Sequence, residues 1–285
     1  MKNILIPTDF SEDAWKAIQY AQLLFKEVEC NFYCLHVSDL VEYAVVTANE
    51  GNGNGTGVAN GTIMTASKKQ LNDFLKAAED NFTNQKHHFF GIHDHGFFID
   101  SIKKHAEEKK IDLIVMGTKG ATGLRKRIIG SNTGDVITKV PYNTLVIPKE
   151  AALQRPEEIA FPTDYNIFYS HKILEALSEM IRLGDEGNFR VMHVTRLGGI
   201  LTSEQKKNQE YLHDFLMESF PENNSFHTLT NKSVNAAIQC FVESRDIDMI
   251  IMVAKNLNFL QQMLFDPLVE KISFHTNVPF FVIHE

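Results

Sequence analysis

Apolar residues in this chain come in short dense runs, separated by longer stretches of helical period. ILIP from Ile4, FYCLHV ending at Val37, DLIVM ending at Met116 and NTLVI ending at Ile147 are such runs in the first half. Bounded by turn residues, they read as strands of a buried sheet. Between the first two, SEDAWKAIQYAQLLFKEV places Ala14, Ile18, Ala21, Leu24 and Phe25 at helical spacing, with Ser11 positioned as an N-cap. GFFIDSIKKHAEEKKID predicts a helix start feeding the DLIVM strand. The stretch from Val45 to Thr65 is Gly/Asn-rich without a hydrophobic period and reads as a mobile surface loop.

The same pattern occurs twice. NILIPTDFS from Asn3 matches EIAFPTDYN from Glu158, aligning Pro7 with Pro162 and Asp9 with Asp164. FYCLHV matches FRVMHV ending at Val194, which aligns His36 with His193. IDLIVMGTKG from Ile111 matches IDMIIMVAKN from Ile247, and NTLVI from Asn143 matches PFFVI from Pro279. Four landmarks in one order define a tandem repeat. Strands alternating with helices imply parallel βαβ units. The expected fold is α/β: two doubly wound, Rossmann-like domains, each a mostly parallel five-stranded sheet flanked by helices. The boundaries fall at 1–149 and 155–285, with the join in PKEAALQRP between Pro148 and Pro156. The last strands of the two halves, LVIP and FVIH, are candidates to pair about a pseudo-twofold.

DLIVM leads into GTKGATGLRKRIIGS, from Gly117 to Ser131. In a doubly wound sheet, ligands sit beyond the carboxyl ends of the strands, where strand order reverses. Glycines there let backbone N–H groups approach a phosphate, and a helix starting near Gly130, Ser131, Asn132 and Thr133 adds its N-terminal dipole. Asp9, after the first strand, is placed to accept from ribose hydroxyls. The plainer alternative is a turn carrying a solvated basic face, which is how Arg125, Lys126 and Arg127 read; Lys119 lies inside the glycine pair and ranks above them.

With Gly117-x2-Gly120-x9-Gly130-Ser131, PTDFS after strand one and LHV after strand two, the chain resembles the universal stress protein family, as a tandem member. That resemblance implies ATP, with magnesium as a possible companion. It places Asp9 on the ribose, with Pro7 and Thr8 beside it among the nucleotide-binding residues, and the backbone near Val37 on adenine. Gly117, Gly120, Gly130, Ser131 and Thr133 then surround the phosphates, and Met116, Lys119 and Asn132 complete the nucleotide-binding set. Asn132 departs from the small apolar residue common there. The second half departs further: Gly117, Gly120, Gly130 and Ser131 align with Val253, Asn256, Asp266 and Pro267. A carboxylate repels phosphate and proline has no N–H, so one competent site is expected, in the first half.

Composition narrows the role. Over 285 residues the net charge is −8, which argues against a general grip on nucleic acid. Cys30, Cys34 and Cys240 have no metal-type spacing and fit a reducing compartment. The first apolar run is too short for a signal or a membrane span, so a cytoplasmic protein is expected. HHFFGIHDHG puts His93 and His95 on one face of an extended segment, a two-ligand start to a metal site with nothing beside it to complete it; no metal is assigned. No GxxxxGK[ST] or GxSxG occurs, and no catalytic residue is assigned. The expected role is ATP-dependent regulation through conformation or an unidentified protein partner, with further homodimerisation open. A scaffold without nucleotide and a slow ATPase are the alternatives.

Overall fold

The computed structural model describes residues 1–38, 59–118, 130–184, 187–195, 199–254 and 277–285. In the first half they form β1 (Lys2–Pro7), α1 (Glu12–Leu24), β2 (Cys30–Ser38), α2 (Ala59–Asn81), β3 (His87–His95), α3 (Phe98–Glu108), β4 (Leu113–Gly117), α4 (Ser131–Lys139) and β5 (Thr144–Ile147). The second half gives β6 (Glu158–Pro162), α5 (His171–Leu183), β7 (Asn188–Thr195), α6 (Ser203–Ser219), β8 (Asn224–Thr230), α7 (Val234–Ser244), β9 (Met249–Val253) and β10 (Phe280–Ile283).

The strands form one sheet in the order β3-β2-β1-β4-β5-β10-β9-β6-β7-β8. Each half is parallel throughout and repeats one strand order outward from the centre. The halves meet through the antiparallel pair β5–β10, in which Phe280 faces Val146, Phe281 faces Leu145 and Val282 faces Thr144. The two end strands identified from the repeat therefore do pair.

Strands at the centre of the sheet are buried on both faces, which is why they read as unbroken apolar runs. One face is covered by α1, α2, α5 and α6, whose Ile18, Phe74, Leu177 and Leu212 share a cluster with Ile4, Phe161 and Ile251. The other is covered by α3, α4 and α7, through Ile102, Ile137 and Phe241. Both clusters draw on both halves. Ser11 caps α1 by accepting from the Ala14 N–H at 3.3 Å.

The long segment between β2 and α3 differs from the expectation of a loop, since α2 begins at Ala59, inside the Gly/Asn-rich stretch. Residues 39–58 lie outside the described residues. Leu71, Phe74 and Ala78 give α2 a buried stripe on a mostly polar helix. The strand β3 is masked in sequence by its histidines, but Phe89 stacks on Phe32 with centroids 5.2 Å apart.

Candidate functional site at the ends of β1 and β4

β1 and β4 are parallel neighbours, with Ile4 opposite Leu113 and Leu5 opposite Ile114. The helix after β1 lies on one face of the sheet and the helix after β4 on the other. The crevice at the switch point thus opens where Pro7, Thr8, Asp9, Met116 and Gly117 lie. Pro7, Thr8 and Met116 are buried, whereas the Asp9 side chain reaches the surface. Val37, at the end of β2, is half-buried.

The far wall is the start of α4. Thr133 is buried, and its Oγ1 donates to the Gly117 carbonyl at 2.9 Å, while the Gly130 N–H donates to the Thr118 carbonyl at 2.7 Å. These two bonds fix the helix N-terminus against the end of β4. α4 opens from Gly130 without a side-chain cap hydrogen bond, and Ser131 and Asn132 are exposed. An uncapped N-terminus aimed past the end of a strand has the donor geometry and partial positive charge for an anion. Lys119 and Gly120, with 119–129 as a whole, lie outside the described residues.

Gly117 has a reason the glycine spacing did not disclose. A Cβ there would lie 2.8 Å from the Asp13 Cβ and 2.9 Å from the Asp13 carbonyl carbon and oxygen. Close packing of α1 on β4 requires the glycine.

The turn after β1 is built twice. Phe10 and Tyr165 both take a left-handed backbone, φ 63° and 57°, uncommon for residues with bulky side chains. Each N–H donates to the hydroxyl two residues back, on Thr8 or Thr163, at 3.0 Å. Each preceding threonine carbonyl also meets a ring nitrogen from strand two, His36 Nδ1 or His193 Nδ1, at 2.9 Å. These histidines hold the turn, and the PTD[FY] repeat was the signal for it. Phe10 stacks on His36 at 4.5 Å.

The copies differ beyond that turn. α1 begins three residues after Asp9, but α5 begins only at His171, and the added chain carries Tyr169 into the core. Its hydroxyl lies 2.7 Å from Thr163 Oγ1. Gln205 and Asn208 of α6 donate to the carbonyls of Asp164 and Tyr165 at 2.8 and 2.9 Å. Val253 is a buried end residue of β9, and Asn256, Asp266 and Pro267 lie outside the described residues.

His93 and His95 do share a face, with ring centroids 4.8 Å apart, and His36 lies 5.6 Å from His93. His93 Nε2 is 2.9 Å from Ser67 Oγ. Burial, then the neighbouring His95 and His36, push the His93 pKa down to about 4. Among the described residues no group of three or more His, Cys, Asp or Glu side chains is arranged to hold a metal ion. No helix among them is long and apolar enough to cross a membrane.

The fold and this crevice define a tandem α/β protein of Rossmann-like topology. Residues 1–148 match the model of the universal stress protein family, and the chain belongs to that family. It is 31% identical over 153 residues to Universal stress protein MJ0531 of Methanocaldococcus jannaschii, a match spanning 52% of this chain and 82% of the relative. Universal stress protein Slr1230 of Synechocystis is 23% identical over 296 residues, spanning 98% of each chain. A universal stress protein from Archaeoglobus fulgidus shares the fold along almost the whole length, with TM-score 0.68, 18% identity, and coverage of 99% of this chain and 98% of that one.

Proposed function

We propose that the first half, residues 1–149, binds one ATP with magnesium and that the nucleotide sets the conformation or the partner binding of the whole chain. The observation that carries this reading is the pinned, uncapped start of α4 beside the exposed Asp9 at the switch point. Ser131, Asn132 and the backbone N–H of Thr133, whose hydroxyl is held by the Gly117 carbonyl, take the phosphates, together with Gly117, Lys119, Gly120 and Gly130. Asp9 accepts from the ribose, and the backbone near Val37 meets the base. A ligand shifts an equilibrium only through its difference in affinity between states, so the output of this site is a population change. The second half, 155–285, acts as a structural partner without triphosphate, its copied turn held by Tyr169, Gln205 and Asn208.

Native mass spectrometry of gently purified full chain, followed by identification of released nucleotide, tests this directly. One ATP or ADP per chain is the expected result. Two per chain would overturn the silent second half. None, even after addition of ATP and magnesium, would leave a scaffold whose output is contact alone.

A further inference from the structure

Asp9 sits in a turn whose geometry is fixed from the neighbouring strand. β1 runs parallel to β2 with Pro7 opposite Leu35, and the Thr8 N–H donates to the Leu35 carbonyl at 2.8 Å. The next residue of β2 is His36, whose Nδ1 lies 2.9 Å from the Thr8 carbonyl oxygen. A carbonyl only accepts, so Nδ1 carries the proton and donates it. The Thr8 carbonyl and the Asp9 N–H share one rigid peptide plane. Holding the first therefore orients the second.

On the other side of Asp9, the Phe10 N–H donates to Thr8 Oγ1 at 3.0 Å and orients the following peptide plane. Phe10 holds its left-handed backbone, φ 63°, with its ring stacked on His36, centroids 4.5 Å apart and planes 26° from parallel. Both peptide planes of Asp9 are thus fixed, one by His36 and the other by a residue braced against it. The side chain follows: Asp9 Oδ1 accepts from the Ser11 N–H at 3.1 Å, and the residue is exposed at the switch point.

The second half supplies the contrast. His193, Thr163 and Tyr165 repeat the turn with bonds of the same length, yet the Asp164 carboxylate accepts from both the backbone N–H and the side-chain amide of Asn166, at 3.0 and 2.8 Å. Ser11 stands where Asn166 does, and its hydroxyl accepts from the Ala14 N–H instead. One device therefore serves two carboxylates, and only in the second half does a neighbouring side chain bond back onto it in this way.

We infer that His36 is a positioning residue for sugar recognition: through the Thr8 carbonyl it aims the Asp9 carboxylate at the ribose hydroxyls and makes the first-half site selective for ribonucleotides. This inference rests on the ATP reading above and adds to it the residue that enforces the choice of sugar.

The test is calorimetry on the full chain with ATP and with 2′,3′-dideoxy-ATP, each with magnesium. The wild type should prefer ATP by about tenfold or more, the worth of hydrogen bonds to a charged acceptor. His36→Leu should bring the ratio close to one by weakening ATP while leaving dideoxy-ATP nearly unaffected. His36→Asn, whose amide nitrogen takes the place of Nδ1, should restore the preference. His193→Leu removes the matching bond in the second half and should lower the melting temperature without changing the ratio, which separates aim from stability. If His36→Leu does not fold, His36→Gln, whose amide reaches toward the position of Nε2, stands in for it. No binding of either nucleotide by the wild type would sink the ATP reading and this inference with it. Equal binding of the two would leave that reading standing and overturn the inference alone. So would a preference for ATP that persists in His36→Leu or its stand-in.

Discussion

Thr133 Oγ1 donates to the backbone carbonyl of Gly117 across 2.9 Å, joining the first turn of α4 to the last residue of β4 inside the fold. Thr133→Val keeps the shape and removes the donor, leaving a buried carbonyl short of a partner. The expected loss is about 1–3 kcal/mol of stability, read as a lower urea midpoint at unchanged slope. ATP affinity, measured by calorimetry, should fall with it because the N-terminus of α4 is no longer pinned. An unchanged midpoint would show that the bond holds nothing.

Gly117 and Gly120 belong to one signature but should respond differently. Gly117→Ala drives a Cβ into the Asp13 backbone, a contact that flexible side chains cannot relieve. Overpacking of that kind costs about 1–3 kcal/mol, so thermal melting should show the loss whether or not nucleotide is present. Replacing Gly120 with leucine should instead abolish nucleotide retention in native mass spectrometry while the melting of nucleotide-free protein stays put. Unchanged ATP binding in the Gly120 variant would sink the phosphate assignment.

Acid should destabilise this protein before its carboxylates titrate. His93 and His284 sit at about 4 when folded, against an ordinary value of 6.5, mainly because burial penalises the charged ring. Their folded pKa lies below the unfolded one, so the unfolded chain takes up protons first as pH falls. Stability is therefore at its full value above about pH 6.5 and drains between 6.5 and 4. Burial also lowers His87 and His227, in the same sense. Between pH 7.5 and 5.5 the loss should be on the order of 1 kcal/mol for each of the two strongly shifted rings, with some solvent screening included. Urea midpoints at the two pH values check this, and His93→Gln combined with His284→Gln should flatten the difference. An equally steep difference in the double variant would assign the acid lability elsewhere.

The repeat made the architecture legible. ILIP, DLIVM and NTLVI are central strands with both faces covered, so burial itself wrote their apolar runs. The pairing of Phe280 with Val146 could be anticipated because each belongs to the last strand of its copy. Less visible were α2 and β3, at the sheet edge, where Ser, Lys, Asn and His dilute the apolar positions that Leu71, Phe74 and Phe89 supply. Gly117 fitted a phosphate spacing, yet its packing against Asp13 joins residues far apart in sequence and has no local signature. The role of His36 was likewise hidden: its bond to the Thr8 carbonyl depends on the parallel register of β1 and β2.

The central seam carries the last prediction. β5 has β4 on one side and β10 on the other, and it is buried along its length. A chain cut to residues 1–149 loses β10, and with it the partners of Thr144, Leu145 and Val146. It also uncovers first-half members of both apolar clusters, which extend across the seam. An open edge beside exposed apolar surface is a template for another copy. Because β5–β10 is antiparallel about a pseudo-twofold, a second β5 can take the place of β10 in a closed symmetric pair. The truncated chain should therefore sediment as a dimer that dissociates on dilution, with Val146→Lys shifting it towards monomer and reducing its stability. A stable, soluble monomer from the unmodified 1–149 chain would show that the halves need each other far less than their shared core implies.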